Sequence, residues 1–286
     1  MARIAYVDGR YVPLGARAVR IEDRGYQFAD GVYEVVKVVG GRFRDLDRHL
    51  DRLERSLAAL DMPMPMPRRA LGLVLHETWR RNAVPDALVY LQVNRGAGPR
   101  NHAYPPLLKP SVVVTVRPAR FPTRAEQEHG VGVITLPDER WAQCHIKSIS
   151  LLPNVLAKQQ AALAGCREAW LVDEAGLVTE GSSSNAWIVD ADGRVVTRPL
   201  DRRILGGVTR AVVLDLARAN GIEVALRPFS VEEAHGAREA FLTSTSSLVL
   251  PVVAIDGRPV ANGRPGSTTC RLAELYARAE ELESVS

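Results

Sequence analysis

Cysteine, lysine and long apolar runs are scarce in this chain of 286 residues. The three cysteines are odd in number and lack Cys-x-x-Cys spacing, which argues against a disulfide framework or a zinc site and favours a reducing cytoplasm. No apolar run is long enough to span a bilayer, and the first residues enter an alternating strand pattern rather than a signal peptide. A hydrophobic content of 46% and a charged content of 24% are typical of a soluble globular protein.

The chain carries an excess of positive charge, with a formal net charge of +4 and a pI of about 9.1. The arginines are scattered and interleaved with acids, as in residues 48–55, so a nucleic-acid-binding face is not favoured. We expect some of them to hold a small anion instead. Gly96-Ala97-Gly98 lacks the third glycine and the following helix that dinucleotide binding needs.

Only four lysines stand against thirty-three arginines, which draws attention to what arginine cannot do. Arginine stays protonated in proteins, whereas a desolvated lysine can act as an amine nucleophile. Lys109 lies in a predicted loop, Lys158 on a solvent-facing helix position, and Lys37 in an apolar strand where it is expected to reach solvent at the sheet edge. Lys147 ends an apolar predicted strand, residues 142–147, and is the best candidate for a reactive amine.

Periodicity and turn signals predict a mixed α/β chain with two domains. We expect an N-terminal domain at 1–118, a proline-rich linker at 119–123 and a C-terminal domain at 124–286. Hairpins are predicted over 4–12 and from 31–39 onward. The predicted helices are 46–60, 68–82, 152–164, 208–220 and 268–283. The other predicted strands are 87–94, 111–117, 131–136, 168–173, 186–190, 194–197, 223–227 and 239–243.

Three polar segments could complete a site around the lysine. Glu180 precedes Gly181-Ser182-Ser183-Ser184-Asn185, which indicates a carboxylate beside hydroxyls and backbone N–H groups. Residues 206–210 read Gly-Gly-Val-Thr-Arg at a predicted helix start, an arrangement that favours an anion. A second hydroxyl cluster ends a strand at 243–247. A reactive lysine, a carboxylate and a phosphate site together suggest pyridoxal phosphate.

The same segments resemble those of the fold-type IV pyridoxal-phosphate enzymes, which include the D-amino-acid and branched-chain aminotransferases. Ile146-Lys147-Ser148, with Glu180 thirty-three residues later, carries most of the likeness. Arg100-Asn101-His102 points to the D-amino-acid branch. The resemblance implies a two-domain fold with mixed sheets and a barrel-like C-terminal domain. It also implies ping-pong transamination of D-amino acids with 2-oxo acids by a homodimer.

Roles in cofactor binding follow from this resemblance. Lys147 is expected to bind the cofactor covalently and to move the substrate proton, while Glu180 keeps the pyridine nitrogen protonated. Leu205 is expected to pack on the opposite face of the ring. The residues expected to hold the phosphate are Arg52, Val208, Thr209 and Thr245.

Roles in substrate binding are implied for three residues. Tyr33, with Arg100 and His102 of the partner subunit, is expected to hold the α-carboxylate. Val35 lies on the same strand face as Tyr33 and is expected to line the side-chain pocket. His49, one helical turn before Arg52, is expected to buttress that arginine.

Four alternative functions stay open from the residues. Within the class these are a branched-chain L-amino-acid aminotransferase, an (R)-amine transaminase and an aminodeoxychorismate lyase. The fourth is a binding protein that keeps the phosphate site without catalysis, which an intact Lys147 and Glu180 disfavour. Arg100-x-His102 disfavours the first three because a fixed cation pair suits an α-carboxylate in one orientation. The sequence does not rank D-alanine, D-glutamate and D-aspartate as donors.

Overall fold

The computed structural model describes residues 3–282, which fall into two compact units. The first unit runs up to Ala119 and also includes Ile146–Ser150; the second comprises Arg120–His145 and the chain from Leu151 onward. The chain thus leaves the second unit for five residues, among them Lys147, and then returns to it. Residues 119–123 carry no regular secondary structure.

The first unit is built on a six-stranded antiparallel sheet with strand order β2-β1-β6-β5-β3-β4. Its strands are β1 (Ile4–Val7), β2 (Arg10–Pro13), β3 (Gly31–Val39), β4 (Arg42–Phe43), β5 (Ala87–Asn94) and β6 (Ser111–Pro118). Its helices are α1 (Arg24–Phe28), α2 (Leu46–Ala59) and α3 (Arg68–Asn82). The leucine stripe of α2 is buried at Leu50, Leu53 and Leu57, together with the inward valines of the sheet.

The second unit contains a nine-stranded mixed sheet, with strand order β12-β11-β10-β13-β14-β7-β8-β9 and β15 paired to β14. Its strands are β7 (Val131–Pro137), β8 (Glu168–Val172), β9 (Val178–Gly181), β10 (Asn185–Val189), β11 (Val195–Thr197), β12 (Val224–Leu226), β13 (Glu239–Ser244), β14 (Leu248–Ile255) and β15 (Arg258–Pro259). Its helices are α4 (Arg124–His129), α5 (Leu152–Leu163), α6 (Val208–Ala219), α7 (Val231–His235) and α8 (Ser267–Leu282). Trp187 stacks on Phe241 in its core, with ring centroids 5.2 Å apart.

Most predicted helices and strands are present within one or two residues, but the strand predicted at 142–147 is wrong. That segment is irregular because its backbone bonds to separate partners: Cys144 N donates to Arg202 O, whereas Lys147 O accepts from Tyr33 N. Short elements such as α1, α4, α7 and β9 were not predicted, since a few residues show no clear periodicity. The last residue of the helix predicted at 268–283 lies outside the described residues.

Lys37 also differs from expectation. Its side chain is only 1% exposed, within the central part of β3 rather than at a solvated edge. None of the helices described in residues 3–282 has the length and apolar character needed to cross a membrane.

Candidate active site

In the first unit, Lys147 lies on a short segment that runs beside the start of β3. Tyr33 N donates to Lys147 O at 3.0 Å, and Ile149 N donates to Gly31 O at 3.0 Å. The half-buried Lys147 places Nζ 4.2 Å from the centroid of the Tyr33 ring. Because these backbone bonds fix both residues, the predicted amine and the predicted carboxylate-binding phenol meet within one unit.

The face of β3 that carries Tyr33 also carries Val35. Both are half-buried, whereas the intervening Glu34 is fully buried on the opposite face. Tyr33 stacks on Tyr90 of β5 with ring centroids 5.5 Å apart, which fixes the orientation of its ring. Val35 therefore remains a suitable candidate for a pocket wall beside Tyr33.

Arg52 makes a buried ion pair that the sequence did not reveal. Its Nε and Nη2 donate to the two oxygens of Glu34, each at 2.7 Å. His49 Nδ1 lies 2.7 Å from Glu34 Oε2, so the predicted buttress acts through Glu34. The bidentate edge expected to grip a phosphate is therefore occupied by Glu34, and this corrects the geometry assumed for Arg52.

This triad is strongly polarised. Burial alone would raise the pKa of Glu34, but the charge and hydrogen bonds of Arg52, with His49, lower it to about 2. Burial lowers the pKa of His49, and the positive charges of Arg52 and Lys147 add to that effect while Glu34 opposes it. Glu34 is thus an anion and Arg52 a cation at neutral pH.

In the second unit, Glu180 lies near the end of β9, 5% exposed and held by several donors. Arg140 Nη1 donates to Oε1 at 2.5 Å and Asn185 Nδ2 to Oε2 at 2.9 Å. Leu205 N is shared between both oxygens at 3.1 Å. A carboxylate offers about four acceptor positions, so a further donor can still be accommodated.

Arg140 was not singled out by the sequence, yet it lies at the centre of this cluster. Its Nε and Nη2 donate to the two oxygens of Asp138 at 2.9 and 2.8 Å, and Thr179 Oγ1 donates to Asp138 at 2.7 Å. Burial raises the pKa of Glu180 to about 7, and the charge and hydrogen bond of Arg140 oppose that rise. Burial lowers the pKa of Arg140, but Asp138 and Glu180 outweigh burial and raise it.

The serines that follow Glu180 do not contact its carboxylate. Their hydroxyls donate to Glu168, with distances of 2.7 Å from Ser183 and 3.1 Å from Ser184, and Ser182 also binds this carboxylate. Lys158 Nζ lies 3.4 Å from Glu168. The expected carboxylate beside hydroxyls therefore exists at Glu168, which fixes the turn, while Glu180 is served by guanidinium, amide and backbone donors.

The start of α6 is suited to an anion. Its N-cap residue Gly207 has no side chain to cap the helix, so the N–H groups of Val208 and Thr209 have no side-chain cap. A Cβ at Gly207 would collide with Oδ1 of Asn185, which shows how closely this turn packs on the amide beside Glu180. Val208 and Thr209 are themselves buried.

The remaining phosphate candidate, Thr245, lies half-buried in the turn between β13 and β14. Ser247 N donates to Ser244 Oγ at 2.9 Å and shapes this turn. The apolar run that follows belongs to β14, where Val249 and Leu250 are buried in the core. The lack of further polar residues after the turn is therefore explained by packing.

The predicted carboxylate ligands Arg100 and His102 lie on the loop between β5 and β6, and both are exposed. Phe28 lies between them, 5.1 Å from Arg100 Cζ and 5.4 Å from the His102 ring, measured to its centroid. Among the residues that the structure describes, no group of three or more His, Cys, Asp and Glu side chains could hold a metal ion.

The fold and these clusters agree with what related sequences indicate. The family model for amino-transferase class IV matches residues 31–255, and the chain belongs to that family. It is 41% identical over 262 residues to the D-alanine aminotransferase of Bacillus licheniformis, covering 92% of each chain. It is 34% identical over 280 residues to that of Staphylococcus haemolyticus, covering 98% of each chain.

Solved structures give the same family. A branched-chain aminotransferase from the archaeon Thermoproteus uzoniensis, solved with norvaline, superposes with a TM-score of 0.87 at 26% identity, covering 97% of this chain and 94% of that one. Another branched-chain amino acid aminotransferase, from the source abbreviated T.th. and solved with pyridoxamine 5'-phosphate, gives a TM-score of 0.88 at 26% identity, with 98% and 94% coverage. The Escherichia coli branched-chain enzyme also gives a TM-score of 0.88, at 22% identity with 96% and 93% coverage, and supports the fold.

These comparisons confirm the predicted mixed α/β fold, the aminotransferase family and the dependence on pyridoxal phosphate. The residues also fit that cofactor. Lys147 offers an amine, Glu180 retains an acceptor position for a ring N–H, and the first turn of α6 offers backbone donors to a phosphate. The assignments of individual side chains remain predictions.

Proposed function

We propose that this chain is a D-amino-acid:2-oxo-acid aminotransferase that accepts D-alanine. The observation that carries the proposal is the pairing of the Lys147 segment with β3, which sets the amine 4.2 Å from the Tyr33 ring. Extensive identity to proteins named D-alanine aminotransferase supports the choice of donor. We propose that 2-oxoglutarate or pyruvate takes the amino group in the second half-reaction.

In this proposal the first unit supplies the base and part of the substrate site. Lys147 removes the proton from the substrate Cα and returns it, since an amine of this kind can act as a general base once it is neutral. Tyr33 donates its hydroxyl to the α-carboxylate. Val35, on the same strand face, limits the side chain of the substrate.

The second unit supplies charge and phosphate binding. Pyridoxal phosphate, when bound, provides a carbonyl carbon that the substrate amine attacks and a pyridine ring that stores the released electron pair. Glu180 holds a proton on the ring nitrogen, and Leu205 packs on the ring. Backbone N–H groups at Val208 and Thr209, with Thr245, hold the phosphate. Arg52 of the first unit adds its positive charge while Glu34 fixes its plane.

The hand of the substrate follows from where the carboxylate is held. The Cα–H bond must point at Lys147, so the side on which Tyr33, Arg100 and His102 hold the carboxylate decides which enantiomer reacts. We propose that Arg100 and His102 of the partner subunit perform this task in a homodimer. The three free cysteines of the described chain suit the reducing cytoplasm that we propose as its location.

The test of the reactive lysine is chemical labelling. Borohydride reduction of the cofactor-loaded protein, followed by peptide mapping, should place the pyridoxyl label on Lys147. Lys147→Ala should abolish both label and transamination, whereas Lys109→Ala, in an exposed loop, should keep both. A label on Lys37, Lys109 or Lys158 would refute the assignment.

The donor is tested by colour. The loaded protein should lose its absorbance near the visible region on addition of D-alanine and regain it with a 2-oxo acid. Bleaching by L-leucine but not by D-alanine would contradict the proposal and favour the branched-chain alternative.

A further inference from the structure

The loop between β5 and β6 carries Arg100 and His102 on an exposed stretch. Residues 99–107 are all exposed, and a loop of this kind moves freely unless neighbouring groups hold its backbone. Two side chains that must meet one small carboxylate lose affinity when their backbone is mobile, because ordering them costs free energy on binding. What fixes this loop therefore bears directly on substrate affinity.

Arg24, the first residue of α1, is buried against the loop and is only 3% exposed. Its Nη1 donates to Asn101 O at 2.6 Å and its Nη2 to His102 O at 3.2 Å. Its Nε donates to Asp30 at 2.8 Å. The planar guanidinium thus fixes two successive loop carbonyls relative to β3, which begins one residue after Asp30.

Aromatic packing places the loop side chains on the same support. Arg24 Cζ lies 4.7 Å from the centroid of the Phe28 ring, one helical turn later on α1. The same ring lies 5.1 Å from Arg100 Cζ and 5.4 Å from the ring of His102. The backbone bonds of Arg24 and the surface of Phe28 therefore act on the same two side chains.

Asp30 does not depend on Arg24 for its charge balance. Arg95 Nε also binds Asp30, at 3.0 and 2.8 Å from its two oxygens, and Arg95 is itself buried. A variant that loses the cation at Arg24 keeps a paired Asp30, so it avoids the main penalty of breaking a buried ion pair. The loop contacts of Arg24 can therefore be tested in a folded protein.

We infer that Arg24 is a positioning residue for the α-carboxylate site. It acts through the backbone of Asn101 and His102 and sets the direction in which Arg100 and His102 point, without touching the substrate. This inference rests on the proposed function to the extent that Arg100 and His102 bind the α-carboxylate.

The test compares Arg24→Lys and Arg24→Gln with the parent as cofactor-loaded proteins. Lysine keeps the charge but has one nitrogen, which cannot serve Asp30 and both loop carbonyls together. Both variants should raise the KM for D-alanine about tenfold while kcat changes less, because the loss is in ordering the bound state. Hydrogen exchange of amides 99–106 should accelerate about tenfold or more, with little change elsewhere.

Control variants separate this role from general damage. Arg81→Lys alters another arginine of the first unit, which lies over the Tyr11 ring, and should change neither KM nor exchange at 99–106. Arg100→Ala should raise the KM without accelerating loop exchange. If Arg100→Ala leaves the KM unchanged, the proposed carboxylate site fails while the exchange result still tests Arg24.

Two results would overturn the inference. One is parent-like exchange at 99–106 in Arg24→Lys and Arg24→Gln. The other is accelerated exchange throughout the unit with cofactor loss and a proportional fall in kcat, which would make Arg24 a general stabilising residue. Faster loop exchange with an unchanged KM, when Arg100→Ala does raise the KM, also contradicts the positioning role.

Discussion

Arg140 is predicted to keep Glu180 ionised, and its replacement should shift the pH dependence of catalysis. The structure places Arg140 in contact with Glu180 on one side and with Asp138 on the other. Removing the guanidinium from Glu180 removes the main effect that opposes burial, so the pKa of Glu180 should rise above about 7. The proton at the ring nitrogen then loses its anionic partner at neutral pH.

The size of the shift follows from the lost interaction. A hydrogen bond to a charged group contributes about 1.5–3 kcal/mol, which corresponds to about one to two pKa units. Arg140→Gln alone also leaves Asp138 buried without its cation, which costs about 3–5 kcal/mol of stability. The double variant Asp138→Asn, Arg140→Gln removes that unpaired charge while still depriving Glu180 of its partner.

The assay is the single-turnover rate of the loaded double variant with D-alanine across pH 6 to 9. Because Glu180 is active as the anion, the rate should rise as pH rises through its pKa. The acid limb of the variant should lie about one to two pH units above that of the parent. Arg124→Gln, an 89% exposed arginine paired with Glu128, should leave the limb in place. An unshifted limb in a folded double variant would refute this role of Arg140.

Three further predictions follow from other contacts. Glu34 has a lowered pKa, so its stabilisation is complete above pH 4.5 and is lost as pH falls towards about 2; Glu34→Gln should lose that acid dependence, about 3 kcal/mol of unfolding free energy in urea titrations, and unchanged dependence would contradict the triad. Gly207→Ala should push Asn185 from its place and weaken cofactor affinity on dialysis, with parent-like retention as the contrary result. Mixing inactive Lys147→Ala and Arg100→Ala chains should restore activity if the carboxylate site spans a dimer, and no recovery despite subunit exchange would place it within one chain.

The sequence predicted the regular elements well because their patterns are local. The leucine stripe of α2 and the alternation along β3 each follow from residues a few positions apart. The segment 142–147 misled because its apolar composition resembles a strand, whereas its position is set by hydrogen bonds to distant residues such as Tyr33 and Arg202.

The charged partners were not predictable for the same reason. Arg140 is one of thirty-three arginines, and nothing near it in the chain distinguishes it from a surface residue. Glu34 alternates with Tyr33 on β3, but its pairing with Arg52 depends on how α2 packs on the sheet. The serines after Glu180 have the expected composition, yet their hydroxyls bind Glu168, which only the strand pairing brings near.

The central claim is transamination of D-amino acids, and the most direct measurement is the ratio of kcat/KM for D-alanine to that for L-alanine, with 2-oxoglutarate as acceptor. We predict a ratio of at least about 100, because the wrong hand leaves the carboxylate-binding groups unmatched. L-leucine and L-valine should also react more slowly than D-alanine. Faster turnover of any of these L-amino acids than of every D-amino acid would contradict the account.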